Sequence, residues 1–191
     1  MPLRDHFHPP LSRRRRPEEV LAMWPMMMVL DLHPKLPDTV LPGPRRTLDD
    51  FGVTFRDDSD FGPTVAAVEL VSLGNKAQAS GRRAFLDKVV AHLRQGAGVC
   101  VVDVVTDHQH NFYADLLTTF EHTDSAFLSA PSGVYAASFR ARERRVLEAW
   151  YHPLAVGEPL PVLPLWLSET VCVSLDLEAS YEVACRGLNI R

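Results

Sequence analysis

The stretch "GVCVVDVV", residues 98 to 105, constrains this chain more than any other. Seven of its eight residues are apolar or glycine and they show no period of two, so the run reads as a strand covered on both faces. Residues 64 to 72, "TVAAVELVS", form a second strand of similar character. Between the two, Phe85, Leu86, Val89, Val90 and Leu93 recur at helical spacing. That pattern predicts a helix from about Gly81 to Gln95, with Ser80 as N-cap and Gly96 as C-cap. Strand, helix and strand in this order make a βαβ crossover, which brings the two strands together in parallel.

Antiparallel pieces surround that unit. "FGVTFRD", residues 51 to 57, alternates like a strand and returns through "DSDFG" to the strand at 64. "VYAASFRAR" and "RRVLEAWYH" read as a hairpin with Glu143 near its turn, and "NFYADLLTTF" as a short helix from about Asn111 to Phe120. "PLAVGEPLPVLPLWL" is too rich in proline for a central strand and is expected to wrap the surface as extended chain. "LDLEASYEVACRGL" closes the chain as a helix capped by Asp176. Near the start, Pro17 opens a short helix that Pro25 is expected to kink or end, and Pro34, Pro37, Pro42 and Pro44 mark a loop. The expectation is an α/β fold: a mixed sheet with a central βαβ unit plus an antiparallel hairpin. It occupies one domain over residues 49–191, after an irregular leader with a short helix over 1–48.

Composition narrows the class. With 46% hydrophobic and 23% charged residues the chain reads as globular, and its net charge of -4 argues against bulk electrostatic binding of nucleic acid. Cys100, Cys172 and Cys185 are far apart, with neither a disulfide framework nor zinc spacing. "RRRRPEEVLAMWPMMMVL" has the charge order of a secretion signal, but Glu18 and Glu19 interrupt it, Pro25 breaks it, and no small-residue cleavage site follows. The apolar run is also shorter than the ~20 residues of a membrane span. A soluble, cytoplasmic protein without a membrane partner is expected.

The feature that asks for chemistry is Glu69. On a strand it shares a face with Val65, Ala67 and Val71, near the carboxyl end, where ligand sites of open α/β sheets lie. Asn75 and Lys76 follow in the turn before the helix. Two uses fit these residue types: a carboxylate that holds Mg or Mn with a lysine assisting, or a structural ion pair of Glu69 with Lys76, Lys88 or Arg82. Asp103, the one acid in its apolar strand, needs a partner for the same reason of burial. His108 and His110 in "DHQHN" have no third metal ligand nearby in sequence, the basic "RARERR" tip reads as a solvated turn or a phosphate contact, and Trp150 and Trp166 read as core. Ser72 lacks a histidine and acid partner in sequence, which argues against a serine nucleophile.

Taken together, "VELVSLGNK", "GRRAFLDKVVAHLRQG", "VCVVDVV", "PLAVGEPLPVLPLWL" and "VSLDLEASYE" resemble an uncharacterised bacterial family, the domain of unknown function numbered 4058. "MPLRDHFHPPL" is similar to the start of a subgroup of that family. The family in turn resembles the PD-(D/E)XK, restriction-endonuclease-like fold. The resemblance implies a metal-dependent phosphodiesterase acting on nucleic acid, with Glu69 as metal ligand, Lys76 or secondarily Lys88 as the assisting lysine, and Asn75 and Asp103 in the site. Lys88 ranks second because it lies roughly 130° from the helix's apolar stripe at 100° per residue. Three departures stand against activity. Val71 occupies the usual lysine position, Leu73 and Gly74 replace Pro and Ala, and the segment carrying the first metal-binding Asp is shortened to residues 34 to 48. Asp57, Asp58 and Asp60 do not match that motif. The alternative is a noncatalytic interaction or remnant domain that kept the fold and lost the metal site.

Overall fold

A strand that is apolar on both sides needs cover on both faces, and the fold supplies it. The computed structural model describes residues 2–43, 51–59, 62–121, 133–142 and 146–190. Six strands form a mixed sheet in the order β1 (Val40–Pro42), β2 (Gly52–Asp57), β3 (Thr64–Leu70), β4 (Gly98–Asp103), β5 (Tyr135–Arg142) and β6 (Val146–Pro153). β3 and β4 run parallel, with Glu69 beside Val101, and the other neighbouring pairs are antiparallel. β7 (Val162–Trp166) and β8 (Cys172–Asp176) form a separate antiparallel pair. The mixed α/β class and the parallel crossover are therefore as the sequence predicts.

Five helices complete the fold among the described residues: α1 (Pro17–Leu32), α2 (Leu73–Ala77), α3 (Ala79–Arg94), α4 (Phe112–Thr119) and α5 (Leu177–Gly187). One face of the sheet, through Ala66, Val68, Cys100 and Val102, packs in a cluster with Trp24 and Met28 of α1, Tyr181 of α5 and Leu165 of β7. The other face, through Ala67, Val71, Val99 and Val101, packs with Phe85 and Val89 of α3 and Leu116 of α4. Residues near the start join the first of these clusters. Leu3 is buried, and its backbone exchanges hydrogen bonds with Glu158 O (2.9 Å) and Gly157 N (2.8 Å).

Several local expectations need correction. Helix α1 does not end at Pro25 but is sixteen residues long with that proline inside it, because Trp24, Pro25, Met28 and Leu32 are all buried and their packing outweighs one missing backbone hydrogen bond. The proline-rich loop at 34–44 contains a 3-10 turn and β1, an edge strand that ends at Pro42. The turn after β3 is a short helix, so α3 begins at Ala79 and Ser80 lies inside it; the N-cap position is Gln78, which makes no side-chain cap bond. β3 and β4 stop at Leu70 and Asp103, two residues short of the ends expected for each. The extended proline-rich segment gains a partner in β8, which the sequence did not suggest. Other signals hold: Asp176 caps α5 with its side chain, and Gly96 takes φ +84° just past α3; Asn111, expected as the first residue of α4, proves to be its side-chain cap. The hairpin turn at Glu143 and part of "DSDFG" lie outside the described residues.

Candidate functional site: two acid–lysine pairs at one end of the sheet

Because β3 and β4 are parallel, their carboxyl ends meet at one end of the sheet. Glu69 alternates with Ala67 and Val71, and Asp103 with Val99 and Val101, so both acids point to the face that α3 and α4 cover. They sit on neighbouring strands, two residues out of step.

Glu69 is 2% exposed. Lys88 Nζ donates to its Oε2 at 2.6 Å, and His92 Nε2 stands 3.6 Å from Oε1. Lys88 and His92 are four apart on α3, hence on one side of the helix, and that side is laid over β3. The carboxylate also needs space from the strand beside it. Gly52 of β2 is paired with Glu69, and a Cβ at that position would collide with Oε2. Lys88 is the one member with some access to solvent, its side chain 28% exposed.

Asp103 is wholly buried and pairs with Lys76, whose Nζ stands 2.9 Å from Oδ2. The same ammonium donates to Val105 O at 2.9 Å and Gly133 O at 2.7 Å, while the Asp103 Oδ2 beside it has ion-pair distance but no hydrogen-bond geometry. Asp103 Oδ1 accepts from Val105 N at 3.1 Å. Burial pushes the Asp103 carboxyl up, to about 7, against the opposing pull of Lys76 and the Val105 amide. Asn75 does not touch either acid. Its Oδ1 accepts from Ser72 N and Ser72 Oγ, both at 2.8 Å, and its own N–H donates to Ser72 Oγ, which closes the first turn of α2 and sets the direction of Lys76. Arg82 donates to Lys76 O at 2.8 Å and so steadies the same turn.

The structure therefore gathers Glu69, Lys76, Lys88, Asn75 and Asp103 at one end of the sheet but exchanges the lysines. Lys88, ranked second from the sequence, holds Glu69, and Lys76 holds Asp103. Sequence reasoning missed His92 and Gly52. The four-residue interval from Lys88 could have found the first, and the hairpin register the second.

The remaining candidates do not converge. His110 Nε2 meets Asp115 Oδ2 at 2.8 Å, whereas Asp107 Oδ1 meets His8 Nε2 at 3.1 Å. Among the described residues no group of three or more His, Cys, Asp or Glu side chains could hold a metal ion. A hydrated Mg or Mn ion does not fit the donors present, since Asp103 and Lys76 are sealed from solvent and both Glu69 oxygens face side chains of α3. Arg140 and Arg142 of the basic hairpin pair with Glu148, and the Arg140 guanidinium lies 3.5 Å from the Trp166 ring centre and 5.6 Å from that of Trp150. The two tryptophans are thus half-buried flanks of an arginine. Ser72 is a helix cap, and the three cysteines are free. Among the described residues no helix is long and apolar enough to cross a membrane. No protein-family model, curated protein or solved structure matches this chain.

Proposed function

We propose that this chain is a noncatalytic interaction or remnant domain on the restriction-endonuclease-like plan, in which the former site residues have become internal struts. The observation that carries the reading is Lys76. A lysine that assists hydrolysis must reach a water or a phosphate, and this one is sealed from solvent, hydrogen-bonded to Val105 O and Gly133 O and ion-paired with Asp103. The β2–β3 hairpin, the α3 crossover and the acid-bearing β4 agree with ancestry in the PD-(D/E)XK class, as does the resemblance to the domain numbered 4058. Calorimetric titration with Mn²⁺, run beside thermal melting of the wild type and Glu69→Gln, tests it. The expected result is no heat of binding and a lower melting temperature for the variant. Mn²⁺ binding that Glu69→Gln abolishes would overturn the reading.

A second reading, a metal-dependent phosphodiesterase acting on nucleic acid, draws on one observation. Glu69 and Asp103 share a face on adjacent strands, and Lys88 beside Glu69 is partly open to solvent. It requires Lys88 to release Glu69 to the metal, and Mn²⁺-dependent cleavage of single- or double-stranded DNA or RNA is its direct assay.

A further inference from the structure

A helix that is apolar on every side is ordinarily covered on every side, and α1 is not. Trp24, Pro25, Met28 and Leu32 are buried, whereas on the opposite side Met26 is 61% exposed and Leu30 66%. At about 100° per residue that open side carries Glu19, Ala22, Met23, Met26 and Leu30. It continues to His33, an exposed residue that ends the helix with its N–H on Val29 O. Beside Ala22 a cavity of about 330 Å³ lies between α1 and the strands β1 and β2, walled by Met26, Leu30, Pro42 and Val53.

The open side matches itself when run backwards. Glu19, Met26 and His33 recur at intervals of seven, two turns of helix, and so form one seam. A two-fold axis at Met26 sets two such seams antiparallel. Met26 then meets its own mate, Ala22 lies opposite Leu30 of the partner subunit, and Glu19 lies opposite His33 of the partner subunit on both sides. The leucine enters the cavity beside Ala22, the smallest residue of the stripe. An axis moved to pair Met23 with Met26 sets Glu19 against Leu30, a charge against an apolar side chain. A parallel pair would gather two runs of exposed arginines, Arg13 to Arg16, at one end. The antiparallel pair instead directs each run at the carboxyl end of the other helix, where the carbonyl dipoles and Asp31 are negative.

We propose that a second copy of this chain docks on α1, helix against helix in antiparallel, about a two-fold axis at Met26. Charge complementarity favours a second copy as occupant, because Glu19 and His33 meet, acceptor to donor, in the register that also matches the apolar residues. The proposal does not depend on how the Glu69 site is read.

Sedimentation velocity of the full chain over a range of concentrations tests it, with Met26→Glu, His33→Glu and His33→Lys as variants. Met26 and His33 are exposed, so each variant is expected to fold, which circular dichroism checks. The wild type is expected to sediment at twice the chain mass. Met26→Glu sets two carboxylates face to face at the axis and is expected at the chain mass. His33→Glu opposes Glu19 of the partner subunit and should weaken association by roughly tenfold or more. His33→Lys keeps an opposite charge there and should associate at least as tightly as the wild type. The two His33 variants keep the test sound should Met26→Glu fail to fold. A monomeric wild type would overturn the proposal and leave the open side to another partner. A dimer that folded Met26→Glu or His33→Glu leaves unchanged, or that both His33 variants weaken alike, would overturn it too.

Discussion

Lys76 and Asp103 form an ion pair with both side chains wholly buried, 2.9 Å apart, and no solvent to share either charge. Above about pH 7, where the Asp103 carboxyl is ionised, removing one partner leaves the other charge stranded, which typically costs about 3–5 kcal/mol. Lys76→Met and Asp103→Leu are each expected to destabilise by that order, and the double variant by clearly less than the sum. Urea denaturation of the three proteins measures it. Additive losses would mean that the two groups do not act as a pair.

The same pair has a pH signature. Burial raises Asp103, so the fold favours the protonated carboxyl. Its contribution to stability is complete below the ordinary carboxylate value, near 4, and is lost as pH rises through about 7. Asp103→Asn removes that slope. Between pH 4 and pH 7 the melting temperature of wild type should fall relative to the asparagine variant; parallel curves would contradict the assignment.

His6 has the opposite sign. Its Nε2 lies 2.6 Å from Tyr181 Oη, and burial, with Arg4 nearby, brings the imidazole down to about 4. A depressed histidine contributes fully above its ordinary value of about 6.5, and that contribution is lost as pH falls through about 4. His6→Gln should flatten this acid limb of the stability curve, read by melting over the same buffers.

Gly52 is required by Glu69. A methyl group at position 52 would strike Oε2, so Gly52→Ala should destabilise by roughly 1–3 kcal/mol, the usual range for overpacking. Glu69→Ala in the same chain opens the space and should make the added cost of Gly52→Ala much smaller. Chemical denaturation of the double-mutant cycle decides it.

How much of this was legible follows from the range of each signal. The crossover was readable because its cues are local: two apolar runs, and a helical stripe between them that ends at Gly96. The carboxylates were readable as oddities because Glu69 and Asp103 each stand alone among apolar residues. Their partners were not. Lys76 is closer to Glu69 in sequence than Lys88 is, but the Ser72–Asn75 cap winds the intervening residues into a helical turn and carries Lys76 across to β4. Pro25 misled for a related reason, since the buried neighbours that keep α1 intact come from α5 and the sheet, far along the chain. β8 was missed because its exposures alternate over only five residues, too short a window for a period to emerge.

Leu3 and Ile190 lie in one core cluster, and Arg4 reaches both Tyr181 Oη and Ile190 O. During synthesis Leu3 and Arg4 are made long before their partners in α5. α1, with its apolar side, must therefore wait for α5, while β3, α3 and β4 can already have assembled on the sheet's other face. Chain order thus divides the core into one half built on β3, α3 and β4, which are adjacent in sequence, and another that must bring α1 and α5 together from distant parts of the chain.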